Sequence, residues 1–177
     1  MLDSLGITDL AARVVETARV QDAKIITAES CTAGALATLL ADTPGAGDIL
    51  LGGFVTYAKA CKSDVLGIPR DLLDTCSAVS AVVAKEMAQA ALDRCASANI
   101  SVAVTCVGGP EPDEDGNPVG LTFLSVQRRG APAVVCKAMI DEKISGRVRG
   151  EVLSRVLILL LDQLGERRVH SSNDRWP

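Results

Sequence analysis

Residues 24–40, KIITAESCTAGALATLL, decide the fold. KIITA, residues 24–28, is apolar or β-branched after its lysine and predicts a buried strand. Thr32 through Asp42, rich in Ala and Leu, predict a helix that Pro44 and Gly45 stop. Between them lies Glu29-Ser30-Cys31-Thr32: a carboxylate, a hydroxyl, a thiol and a second hydroxyl in a row. The carboxyl end of a strand is where open α/β sheets place their chemistry.

Outward from this junction, residues 9–23 show helical spacing before the strand. After it, DILLGGFVTYA reads as a second strand, with Gly52 and Gly53 marking a bulge or a close backbone approach. Short helical turns flank Pro69, and a long helix follows Ser80, a good N-cap. NISVAVTCV is a third strand, and it runs into an acidic Gly/Pro-rich loop, GGPEPDEDGNPVG, expected to be mobile. Residues 120–140 form a hairpin turning at Arg129–Pro132, and a closing helix ends near Leu164. Helices interleaved with strands and then a hairpin predict a three-layer α/β/α sandwich with a mixed, mostly parallel sheet of about five strands. Residues 1–164 are expected to be one domain and 165–177 a frayed polar tail.

Composition narrows the function. The chain has 177 residues, 48% hydrophobic, a net charge of −4 and a mean hydropathy of +0.27. An acidic chain with two Phe, one Tyr and one Trp predicts neither a nucleic-acid partner nor a membrane surface. The N-terminal residues lack the pattern of a signal peptide, and the expected location is cytoplasmic. The six cysteines contain no CxxC pair and read as small buried hydrophobes in a reducing compartment, without disulfides. The one histidine, His170, lies in the tail, so no zinc site and no cofactor are expected. ILLGGFV and VLILLLDQL suit a core or a subunit interface equally, which leaves a homo-oligomer open.

Three stretches could carry chemistry. In the first, Ser30 is a candidate nucleophile, and backbone N–H groups of a helix beginning near Thr32 are candidate oxyanion donors, with Ala33 and Gly34 permitting close approach. A plain helix cap at Ser30 or Thr32 explains the same residues. In the second, GGFVTYAKACK, Tyr57 stands where a strand gives out. A serine needs a base, no usable histidine exists, and a lysine with a depressed pKa can replace it, with a tyrosine hydroxyl relaying the proton. Spacing alone does not choose between Lys59 and Lys62. In the third, the Gly-Gly-Pro turn after Thr105 could offer N–H groups to an anion. The run Glu111, Asp113, Glu114, Asp115 reads as a solvated loop tip.

Taken together, TAESCTAG, GGFVTYAKACKSDVLGI, SAVSAVVAKEMAQAAL and VGGPEPDEDGNPVG closely resemble the C-terminal domain of the CinA family, from about Leu10 to Leu164. The resemblance implies an anticodon-binding-like α/β/α fold. It also implies metal-free deamidation of nicotinamide mononucleotide to nicotinic acid mononucleotide, so the expected partner is a small pyridine nucleotide amide. It places the family's serine on Ser30, its tyrosine on Tyr57 and its lysine on Lys62, with Cys31, Thr32, Gly34, Thr105, Gly109 and Arg149 (or Arg147) implied in substrate binding. The chain departs from the family pattern at Cys106, where a glycine is usual, at Ala46-Gly47, where two serines are common, and around Asp141-Glu142-Lys143. These departures keep a second expectation alive, a ligand-binding domain with impaired turnover. A third is cysteine chemistry at Cys31.

Overall fold

The structure is a computed structural model that describes residues 6–140 and 148–165. In chain order its elements are α1 (Ile7–Val20), β1 (Ile25–Glu29), α2 (Ala35–Ala41), a 3-10 turn (Ala46–Asp48), β2 (Leu50–Val55), α3 (Lys59–Leu66), α4 (Arg70–Cys76), α5 (Ala81–Arg94), β3 (Ile100–Cys106), β4 (Leu121–Arg128), β5 (Val134–Met139) and α6 (Val148–Gln163). The sheet order is β2-β1-β3-β4-β5. β1 pairs in parallel with β2 and β3, while β3, β4 and β5 are antiparallel to one another in turn. The expected mixed sheet of an α/β/α sandwich is present, and the C-terminal pair is the predicted hairpin.

Both faces of the central strands are covered, so β1 and β3 are buried at every position. Alternation then sorts their side chains into two cores. Ile25, Ile100, Val102 and Val104 pack with α1, α2 and α6. Ile26, Ala28 and Ala103 pack with residues of α4 and α5 and with Leu66 of α3. Val156, Leu157 and Leu160 of α6 are fully buried, which makes VLILLLDQL core. β2 is an edge strand that alternates between half-buried and exposed, leaving Leu51 and Val55 in solvent.

Glycines in β2 do what the sequence suggests. The register with β1 jumps from Ile25↔Leu50 to Ile26↔Gly52, and Gly52 takes φ 147° at the jump. Gly53 lies against the Thr27 side chain, where a Cβ would collide with the hydroxyl. Ser80 caps α5 by accepting from the Val83 N–H at 3.2 Å. One boundary differs from expectation. α2 begins at Ala35 and not at Thr32, because Ala33 (φ 51°) and Gly34 (φ 90°) are left-handed and turn the chain before the helix can start. Residues 141–147 and the tail from 166, which include Arg147 and His170, lie outside the described residues. Among the described residues no helix is long and apolar enough to cross a membrane.

Candidate active site

The end of β1 presents two consecutive side chains to opposite faces of the sheet. Glu29 shares its face with Ile25 and meets α2. It is fully buried and accepts from the N–H groups of Gly34 (3.0 Å), Leu36 (3.0 Å) and Ala37 (2.9 Å), and from the Thr27 hydroxyl (3.2 Å). The carboxylate thus satisfies donors that the first turn of a helix leaves open, and complements the positive end of its dipole. This corrects the expectation that the start of this helix holds an oxyanion, since its donors are already used. No described group accepts from the N–H of Cys31 or Thr32, or from those of Gly108 and Gly109.

Ser30 falls on the other face and meets α3. Within α3, Lys62 and Leu66 are one turn apart and both turn inward. Lys62 is 1% exposed, and its Nζ lies 2.8 Å from Ser30 Oγ and 2.9 Å from the Thr56 carbonyl oxygen. Burial pushes the Lys62 amine from its usual 10.5 down to about 8, against a small opposing influence of Cys61. The parity of β1 matters here. A carboxylate facing Lys62 would hold it charged, and Glu29, one residue from Ser30, is turned away under α2.

The structure therefore separates the two lysines that the residues alone left open. Lys59 stands at the rim, with Nζ 3.2 Å from Asp74, 3.4 Å from Asp115 and 3.6 Å from Glu114. Desolvation would lower its pKa, but the hydrogen bonds and charges of Asp74 and Asp115 outweigh that and raise it. It is a fixed cation and a poor base. Asp115 is held below the usual carboxylate range by the Ser77 hydroxyl first, and then, against desolvation, by Lys59. Asn117 donates to Ser77 Oγ and to Asp113 Oδ2, each at 2.8 Å. The acidic loop is thus no bare solvated tip. It folds back onto the segment between α4 and α5 and walls a cavity of about 450 Å³, a size suited to a small molecule.

Ser30, Cys31, Tyr57, Lys62, Cys106 and Gly109 all line that cavity. Tyr57 is 66% exposed at its mouth, and its carbonyl oxygen, 3.4 Å away, accepts from Ser30 Oγ. Direct contact between Lys62 and Ser30 leaves a hydroxyl relay nothing to bridge. Thr32, Gly34, Thr105 and Arg149 do not line the cavity. Thr32 is buried with an unpaired hydroxyl, Gly34 serves Glu29, Thr105 donates to the Ala78 carbonyl at 2.9 Å, and Arg149 is exposed on the first turn of α6.

One expectation about the cysteines is overturned. Cys31 and Cys106 form a disulfide, with 5.7 Å between their Cα atoms, while Cys61, Cys76, Cys95 and Cys136 are not bridged. The cause is register. β1 and β3 pair Ile25 with Ile100 and so on to Glu29 with Val104, and the same offset of 75 residues sets Cys31 beside Cys106. Their bond also removes the thiolate that cysteine chemistry at position 31 would need.

The CinA C-terminal domain model matches residues 7–164. The chain belongs to the CinA C-terminal domain family. A CinA-like protein of Akkermansia muciniphila is 39% identical over 142 residues, covering 80% of this chain and 34% of that protein. One from Mycobacterium avium is 42% identical over 125 residues, covering 71% and 27%. This CinA domain thus spans about a third of the length of the curated relatives it matches. Among solved structures, a CinA superfamily protein of Escherichia coli superposes with a TM-score of 0.85 at 30% identity, covering 91% of this chain and 92% of its own. A competence/damage-inducible protein of Agrobacterium tumefaciens gives 0.83 at 32% identity, covering 90% and 96%.

Thr56, Glu29 and Asp115, the last as partner of Lys59, are participants to which the residues alone assign no part in the site. For Glu29 a signal existed: a charged residue inside a strand buried on both faces must have a partner on one of them.

Proposed function

We propose that this CinA domain is a serine amidohydrolase, and that its substrate is the carboxamide of nicotinamide mononucleotide. The supporting observation is the 2.8 Å contact between a buried lysine amine and the Ser30 hydroxyl in the wall of a small-molecule cavity. Neutral Lys62 keeps one N–H on the Thr56 carbonyl, which leaves its lone pair for the serine proton. Ser30 Oγ then attacks the amide carbon, and the oxyanion is received by backbone N–H groups of Cys31, Gly108 and Gly109, which line the cavity with Ser30. Protonated Lys62 returns its proton to the departing nitrogen, ammonia leaves, and water repeats the sequence on the acyl-serine to give the carboxylic acid. Tyr57 at the mouth offers a flat apolar face to a pyridine ring.

The test is ammonia release from nicotinamide mononucleotide and related pyridine carboxamides, with Ser30→Ala as control. Release that disappears in the variant supports the assignment. The alternative, a binding domain with impaired turnover, draws on Cys106, a side chain in the cavity wall where the family pattern has a glycine. Saturable binding of nicotinamide mononucleotide with no ammonia from any amide would establish it.

A further inference from the structure

The bridge between Cys31 and Cys106 joins the loop that carries Ser30 to the end of β3, and both residues line the same cavity. Here one partner is the residue next to the candidate nucleophile. Cys106 is 8% exposed and Cys31 half-buried, and both line the cavity. A small thiolate could reach them by the route open to a substrate.

We propose that Cys31–Cys106 is a reversible thiol–disulfide exchange site, opened by a dithiol reductant and controlling the geometry around Ser30. The step balances as an ordinary exchange. A reductant thiolate attacks one sulfur of the bridge, forming a mixed disulfide and releasing the other as a thiolate. The second reductant thiolate then attacks the reductant sulfur of the mixed disulfide and displaces the protein thiolate, so the reductant leaves as a disulfide and two protons end on Cys31 and Cys106. Two electrons pass to the protein.

The consequence follows from packing. Two thiols cannot remain at bonding distance, so reduction drives the sulfur atoms apart inside a wall formed by Cys31, Cys106 and Gly108, whose Cα is close enough that an added Cβ would stand 3.9 Å from Cys31 Cβ. Either a thiol turns into the cavity or the 30–32 loop moves. The first occupies cavity space beside Ser30 that a substrate would fill, and the second displaces the unpaired N–H of Cys31 relative to Ser30. The bridged state is the ordered one, and the reduced state turns over more slowly. The effect on turnover rests on the hydrolytic reading above, whereas the exchange itself does not.

The experiment holds the folded wild-type chain in buffers of graded dithiothreitol ratio, quenches with acid, and counts thiols by alkylation and peptide mass spectrometry. The expected result is four alkylated cysteines at the oxidised end and six at the reduced end, with only the Cys31 and Cys106 peptides changing. Their midpoint should fall where the far-ultraviolet circular dichroism is still native. Ammonia release should fall several-fold across the same midpoint, and the Cys31→Ser/Cys106→Ser double variant should lose that dependence. Six thiols under every condition, or two new thiols only after unfolding, would overturn exchange. A changed thiol count with turnover constant within twofold would overturn the control of geometry. If no amide is hydrolysed in either state while the thiol count changes, the hydrolytic reading fails and the exchange site stands.

Discussion

Lys62→Met removes one amine while keeping the length and apolar stem of the side chain. For activity, the loss of the base that contacts Ser30 at 2.8 Å should cost at least ~10³-fold in kcat, within the range that general base catalysis supplies. For stability the sign is less obvious. Lys62 has a pKa near 10.5 when unfolded and about 8 when folded, so between those values the unfolded chain binds more protons and stability rises with pH. Below about 8 both forms are protonated, and burial of the ammonium costs about 3 kcal/mol, at about 1.4 kcal/mol per pH unit. From pH 7 to pH 10 the wild type should regain roughly 2–3 kcal/mol of this, and the methionine variant should not. At pH 7 the variant gains about 3 kcal/mol from losing the buried charge and forfeits about 1–3 kcal/mol by leaving the Thr56 carbonyl unpaired, so it should be no less stable than wild type. The assay is urea unfolding of both proteins at pH 7 and pH 10, with ammonia release measured in parallel. Parallel pH trends in the two proteins would refute the burial account. Retention of a tenth of wild-type activity would remove Lys62 from the mechanism.

Further outcomes follow from the same geometry. Activity should rise with pH and level off above about 8, because only the neutral amine can take the serine proton; a flat profile from pH 6 to 9 would contradict this. Glu29→Gln puts an amide NH₂ against the backbone N–H donors of α2 and should cost about 3 kcal/mol, read as a lower urea midpoint. Cys31→Ser/Cys106→Ser opens a loop of 75 residues, which loop-closure entropy values at about 4 kcal/mol, so its Tm should drop by roughly 10 °C against the oxidised wild type in differential scanning calorimetry. An unchanged Tm would mean that the bridge constrains nothing.

The layers were legible in the sequence because period and punctuation were strong. The apolar and β-branched run 25–28, the Pro44-Gly45 stop and the Ser80 cap each state a local preference that the fold keeps. Ser30 was legible as a polar residue at a strand end, but the choice between Lys59 and Lys62 required knowing which face of α3 looks inward. The helix start was misplaced because a buried carboxylate and two left-handed residues, not propensity, set where α2 begins. The disulfide was illegible for a different reason. It depends on which residue of β3 stands beside which residue of β1, and periodicity is blind to an offset of 75.

The arrangement at the end of β1 has an evolutionary corollary. Because neighbouring positions of a strand look in opposite directions, gaining or losing one residue between Ile25 and Glu29 would exchange the two roles. The acid would then meet the amine of Lys62 and keep it protonated, while the alcohol would sit uselessly beneath α2. Substitutions in this segment can be absorbed one at a time, but a frame slip would silence the proposed chemistry and loosen the neighbouring helix in a single event. Length, more than identity, is what this strand can least afford to vary.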